Sequence, residues 1–522
     1  MNALASKRSS RVMLMAVLAI LAMAASAMSL ILAGASDADG DEIAVSSWDE
    51  LKDAVESDYT DRAIALTTDI IDDSDDEALK VHDKRLTIDL KGYKIDRQRG
   101  DDDDDDGRLF NISGGSKVYI KNGTLTGGHG DNGGCITIRG SSNLTLIDVI
   151  ITDNYAEGDG GAIYAKYALL DIQGGKIADN HAEGDGGAIY MEKESVILMK
   201  DAEISGNYAE GDGGALYSDL GNYYLNGCEF LRNHCDGDGG AIYVDGLGDD
   251  EMDRPSISGT LFSGNHTDDD DDCDGGAIYL NKSPLSVNGC TFEDNRCGFD
   301  GGAVYAEGST LDIMTDTVFR HNTAPDSGGA LRLHGGDCAL GNLEFDGNHA
   351  NACGGAVYVN NGARVTIDGI AMAGNSVLMD GGGLLVGGDD DNTVEIQGLV
   401  VIKDNAADRD GPNVFIRSGQ KLVCGAFADG STIGVEMADG DGKFTKNFGE
   451  NNPGIDSSKI FFADDPDYYV ANDDDEAKMF KSSTGGDMSD NTVWIAIGAI
   501  VAVIAVAGAL YYVLKVRKPK SS

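Results

Sequence analysis

Along the middle of this chain, large apolar residues recur in short alternating runs that glycine, asparagine or aspartate closes. Leu170/Ile172, Leu285/Val287 and Val365/Ile367 are such pairs, with one residue between the members of each. After the runs comes one further large apolar side chain: Ile151, Ile177, Ile204, Phe230, Phe262, Phe292, Phe319, Phe345, Met372 or Ile402, each three residues ahead of an asparagine. Alternation of period two, in runs this short, predicts β-strands joined by tight turns and no helices.

The pattern repeats. Glycine pairs begin at Gly160, Gly186, Gly213, Gly239, Gly275, Gly301, Gly328, Gly354 and Gly381, so the interval is 26 or 27 residues with one gap of 36. An internal period of this size means that one structural unit is stacked many times. After each pair come a small residue, an aliphatic one (Ile163, Leu216, Val304, Leu331, Val357) and usually tyrosine. The next residue but one after the aliphatic is again mostly apolar (Ala165, Met191, Val244, Leu280, Val359). These two positions face inward, and the tyrosine between them faces out. Two or three strands per repeat predict one coil of a right-handed parallel β-helix, an all-β solenoid. A coil buries about six apolar side chains, worth on the order of 10–15 kcal/mol, against a comparable or larger cost of ordering its backbone. Stability therefore arises only when coils stack.

The ends differ from the repeats. Residues 1–35 carry Lys7, Arg8 and Arg11, then an apolar run and small residues, which fits an export signal cleaved after Ala35. Residues 36–80 form the expected N-terminal cap, with Ser47-Trp48-Asp49-Glu50 opening a short helix over 44–57. The β-helix is expected over 81–417, an irregular β cap over 418–481 and a polar linker over 482–492. Val493 to Leu514 is uncharged and apolar, long enough to cross a bilayer, and the tail 515–522 holds Lys515, Arg517, Lys518 and Lys520. Basic residues on that side place the tail in the cytoplasm and the solenoid outside a membrane with one span.

Composition narrows the partners. The 522 residues carry a formal charge of −49, which repels nucleic acid. Nine cysteines in an exported chain invite disulfides, but an odd number leaves one over. Cys228 and Cys290 share one slot and Cys235 and Cys297 another. Each pair sits two coils apart, about 9.6 Å, beyond disulfide reach, so buried thiols are expected. Cys235 with Cys273 in the next coil is the one pairing left open.

The tetrapeptides Gly-Gly-Ala-Ile (at 160, 186, 239 and 275) and Phe-x-x-Asn (at 230, 262, 292, 319 and 345) resemble the polymorphic outer-membrane-protein repeat over about residues 130–415. The resemblance implies a right-handed β-helix at a cell surface, commonly an adhesin. Family members that are autotransporters end in an outer-membrane barrel, and here one apolar segment and a basic tail stand in its place.

Three sets of residues are candidates for chemistry. Asp159, Asp185, Asp212 and Asp238 each precede a glycine pair, as do Asp274 and Asp300. A column of carboxylates at coil spacing suits Ca²⁺, and equally suits Asx-turns in solvated loops. Tyr164, Tyr190, Tyr217, Tyr243, Tyr279, Tyr305 and Tyr358 form an outward stripe interrupted by Arg332. That stripe either steadies the sheet or meets a surface protein or glycan of a host or neighbouring cell. Adhesion is the leading function. The runner-up is a β-helix polysaccharide lyase or hydrolase, for which Glu307, Arg332 and His334 on adjoining coils are the candidates, with a cross-strand Arg332–Glu307 surface pair as the plainer explanation. A purely structural spacer is the third.

Overall fold

The computed structural model describes residues 42–482 apart from 75–76, 99–106, 247–253, 270–271 and 388–391. The expected export signal, membrane span and basic tail lie outside the described residues, and so does nearly all of the linker. Among the described residues no helix is long and apolar enough to cross a membrane.

Residues 186–212 display the plan of one coil. Its strands are Ile189–Glu192, Val196–Lys200 and Glu203–Ser205, followed by the two-residue Tyr208–Ala209. Each pairs in parallel with its counterpart in the next coil: Ile189 with Leu216, Val196 with Asn222, Ile204 with Phe230 and Tyr208 with His234. Repetition gives a right-handed solenoid of about 14 turns. Ile189, Met191, Ile197, Met199 and Ile204 are buried, so alternate positions of each strand fill the interior as the pattern predicts. On the third strand, Phe230, Phe262, Phe292, Phe319 and Phe345 stack along the axis with ring centroids 4.8 to 5.0 Å apart.

A second column runs inside the turn that follows. Asn154, Asn180, Asn207, Asn233, Asn265, Asn295, Asn322, Asn348 and Asn375 are buried. Each donates its Nδ2–H to the Oδ1 of the next, at 2.8 to 3.0 Å. The same Oδ1 also accepts the main-chain N–H of the asparagine before it, as Asn233 does from Asn207 at 3.2 Å. The residue ahead of each asparagine takes a positive φ, among them Asp179, Gly206, Arg232, Gly264 and Asp294. Glycine and aspartate tolerate that conformation best, which is why they crowd this position.

The glycine pairs have two separate reasons. Gly186 sits at φ +68°, where a side chain is strained. Gly187 has an ordinary φ, but a Cβ there would lie 2.3 Å from the carbonyl oxygen of Gly214 and 2.5 Å from that of Tyr208. The first glycine makes the turn, and the second lets two coils approach.

Both ends are closed. Helix α1 (Trp48–Glu56) is capped by Ser47, whose hydroxyl accepts from Glu50 N–H at 3.3 Å. Its Trp48, Leu51, Ala54 and Val55 are buried over the first coils, and the Arg97 guanidinium lies 4.2 Å above the Trp48 ring. At the other end, parallel stacking continues beyond residue 417, where an irregular cap was expected. Thr432–Met437 pairs with Val414–Ile416 and with Phe461–Ala463, because Ile433 and Val435 still supply inward aliphatics. The irregular part is a small sheet in which Gly442–Lys443 runs antiparallel to Glu476–Lys481.

Candidate functional site

The glycine turn sets an aspartate beside each tyrosine strand, and the aspartates join into a hydrogen-bonded column. Asp159 Oδ1 accepts the main-chain N–H of Asp185 at 3.1 Å, and Asp185 Oδ1 that of Asp212 at 2.8 Å. Asp212, Asp238 and Asp274 repeat the bond to Asp238, Asp274 and Asp300 at 2.7 to 2.8 Å. Asn132 heads the column by accepting from Asp159 N–H at 2.8 Å, and Asp300 passes it on to Ser327 N–H at 2.9 Å.

Asp159, Asp185, Asp212, Asp238 and Asp274 are half-buried and Asp300 is buried, so these loops are less solvated than their sequence suggests. Burial is the main cause that raises every one of these carboxyls, and the N–H bonds offset it only in part. Asp185 is pushed up to about 6, Asp238 to about 7 and Asp274 to about 8. Each Oδ1 of Asp159, Asp185, Asp212 and Asp238 is already engaged by the next coil. Three potential ligand atoms converge elsewhere: among the described residues, His234, Asp236 and Asp268 are the group of metal-ligating side chains whose atoms lie within 4.8 Å of one another.

The tyrosines stack face to face. Ring centroids from Tyr164 through Tyr190, Tyr217, Tyr243 and Tyr279 to Tyr305 are 4.9 to 5.4 Å apart with planes within 9°. The faces are therefore spent on one another, and what the row offers outward is its hydroxyl edges. It is less open than an outward stripe suggests: Tyr164 to Tyr243 and Tyr358 are half-buried, and Tyr279 and Tyr305 are buried. Two of the hydroxyls meet acids on the corresponding strand of the next coil. Tyr279 donates to Glu307 Oε2 at 3.0 Å, and Tyr164 donates to Glu192. Burial and these carboxylates keep the phenols protonated.

Arg332 interrupts the row in a way the register alone does not reveal. It lies opposite Tyr305, and His334 opposite Glu307. Its guanidinium turns to the aspartate column, where Nε donates to Asp300 Oδ2 at 3.0 Å, and packs 4.0 Å over the Tyr358 ring. Arg332 and Asp300 are both under a tenth exposed. The expected surface pair with Glu307 is thus replaced by a buried pair with Asp300, since the raised carboxyl gains more from the cation than a solvated glutamate would. Further along the same slot, Asp380 is wholly buried and accepts from Arg409 Nη2 at 2.6 Å and from Arg417 Nη2 at 3.2 Å.

The cysteines play no part in covalent bonding. None of the nine is in a disulfide, and the Cys273 thiol donates to the Asp236 carbonyl at 3.0 Å instead of bonding Cys235. Burial pushes the Cys228 and Cys290 thiols up to about 11.

Coil-on-coil parallel pairing, the inward aliphatics, the internal asparagine and phenylalanine columns and the outer tyrosine column define a parallel β-solenoid whose side-chain chemistry is organised in rows. The sequence model described as right handed beta helix region matches residues 104–230, 167–316 and 276–447, which together cover most of the chain; the chain belongs to that family. No curated protein and no solved structure matches it.

Proposed function

We propose that this chain is a surface rod, held by a single membrane span at 493–514 and exposing its solenoid outside the cell as an adhesin or ligand-binding spine. The supporting observation is the row of tyrosine hydroxyls stacked at the coil interval on one sheet, which meets carboxylates where Tyr164 bonds Glu192 and Tyr279 bonds Glu307. Such a strip suits a hydroxyl-rich or cationic partner met by hydrogen bonds along its length, a glycan or a basic surface protein of a neighbouring or host cell. Stacking of sugar rings on the tyrosines is disfavoured, because the ring faces are covered. The Gly-Gly-Ala-Ile and Phe-x-x-Asn motifs fit this reading, although both follow from the needs of the coil itself.

The fold is equally at home in polysaccharide-binding rods and pectate-lyase-like proteins. Arg332, the base candidate for a lyase, is buried and bonded to Asp300, which leaves it no free approach to a sugar proton. The test is binding of the full chain across a glycan and surface-protein array, with and without calcium. Replacing Tyr217, Tyr243 and Tyr279 by Phe keeps the stack and removes three hydroxyls; a clear drop in attachment is expected. Unchanged attachment would exclude the strip.

A further inference from the structure

The residues after the ladder asparagines form a row of their own on the two-residue strands, headed by His129, which follows Gly128. His129, Tyr155, His181, Tyr208, His234 and His266 lie in register along it. Glutamate or aspartate stands two residues further on in most coils, as at Glu157, Glu183, Glu210 and Asp236. Along most of the row one acid approaches one imidazole, as Glu210 approaches His181 at 3.5 Å.

At His234 the arrangement changes. Its Nε2 lies 3.6 Å from Asp268 Oδ1 and 3.9 Å from Asp236 Oδ1. These separations are too long for hydrogen bonds, and Nε2, although hidden from water, makes none. Ligands about 2.1 Å from a shared ion are about 3–4 Å apart, so the gap is one that a metal fills. The surroundings hold the three groups in place. Tyr208 donates its hydroxyl to Asp236 Oδ2 at 2.8 Å, which leaves Oδ1 free toward His234. The His234 ring is sandwiched between His266, 4.3 Å away and 9° from parallel, and Tyr208 at 5.1 Å. Asp268 stands three residues after Asn265, as Asp236 stands three after Asn233, so the two carboxylates come from equivalent positions on adjoining coils.

We propose that His234, Asp236 and Asp268 form a binding site for a divalent transition-metal ion, Zn²⁺ foremost. One imidazole nitrogen with two carboxylate oxygens suits a borderline ion, whereas Ca²⁺ prefers oxygen alone. Three protein ligands leave room for water, and Tyr208 is the positioning residue for Asp236. The site stands apart from the tyrosine strip and does not rest on the adhesive reading.

The experiment is calorimetric titration of the untagged, metal-stripped full chain with Zn²⁺, paired with the visible absorption of the Co²⁺ form. One ion per chain is expected. His234→Ala and Asp268→Asn are each expected to weaken it at least tenfold. Tyr208→Phe is expected to cost about tenfold, in line with the loss of an outer hydrogen bond to a ligand. His181→Ala, in the same slot where a single glutamate approaches, should leave binding unchanged. Circular dichroism separates lost binding from lost fold, and Asp268→Asn, on an open turn, is the variant expected to keep its fold. No Zn²⁺ uptake by the wild-type chain, or equal uptake by His234→Ala and Asp268→Asn, overturns the assignment.

Discussion

Asn207 donates its side-chain amide to Asn233 across 2.9 Å, and Asn233 donates onward to Asn265 across 3.0 Å, in a column closed to water. Asn233 also donates to the Ile204 carbonyl at 3.0 Å and accepts the Asn207 main-chain N–H at 3.2 Å. One amide thus satisfies groups from three successive coils. Asn233→Ala strands several buried polar atoms at once, each worth about 1–3 kcal/mol when left unmade. Allowing for incomplete additivity, a loss of about 3–5 kcal/mol is expected, read as a lower thermal midpoint and as faster proteolysis between the coils it joins. Asn233→Asp removes two donors and should be worse at pH 8 than at pH 5.

The aspartate column gives the rod a pH dependence of unusual sign. Carboxyls raised above their ordinary value of 3.8 contribute stability that is complete below that value and lost as pH climbs through the folded values, here about 6, 7 and 8 for Asp185, Asp238 and Asp274. The thermal midpoint should therefore rise when pH falls from 8.5 to 5.5. His266, lowered mainly by burial, opposes this below its ordinary 6.5 and softens the gain. Asn132 already performs the aspartate's accepting role at the head of the column. Asp238→Asn with Asp274→Asn should accordingly raise the midpoint at pH 8 by several degrees and flatten the profile. A profile unchanged in the double variant would remove the column as its cause.

Much of this was legible in the residues. Ile163, Ile189 and Ile242 had to be inside because a two-residue period with an invariant aliphatic leaves no other face, and they are buried. What escaped was everything set by contacts between coils. The spacing marks Asp185 as repeated, but only the tight turn shows its Oδ1 held by Asp212 N–H. Tyr190 alternates outward as expected, yet Tyr164 and Tyr217 cover both ring faces. Arg332 aligns with a tyrosine and reaches sideways to a different row. The His234 cluster had a faint signal, a histidine or tyrosine after six of the ladder asparagines with an acid two residues further on in most of them, but spacing alone does not bring Asp236 and Asp268 of adjoining coils to one imidazole.

Thiol accessibility separates Cys353 from the other cysteines. It is half-buried while the rest are buried, and Arg417 Nη2 donates to its sulfur at 3.6 Å. Burial raises its pKa and the guanidinium opposes that rise. Alkylation of the native chain under mild conditions, followed by peptide mapping, should modify Cys353 first and spare Cys235 and Cys297 until the rod is unfolded. Early labelling of Cys235 would mean that its coil is open in solution.

Arg332 and Asp300 provide the sharpest test of how the rows depend on each other. Removing one partner of a buried ion pair typically costs about 3–5 kcal/mol, because the other charge is left without compensation. Arg332→Ala should lose about that much and also uncover the Tyr358 ring on which the guanidinium lies. Arg332→Tyr with Asp300→Asn is different: Tyr305 and Tyr358 stand directly before and after position 332, so the new ring continues the stack. Asparagine keeps an acceptor for Ser327 N–H, as Asn132 does for Asp159. The double variant should recover most of the stability, while Arg332→Tyr alone, with Asp300 still ionisable, should fall between. A double-mutant cycle on thermal midpoints measures the coupling. If Arg332→Tyr alone were as stable as the double variant at pH 8, the Asp300 carboxyl would not need its cation, and the column would be neutral throughout.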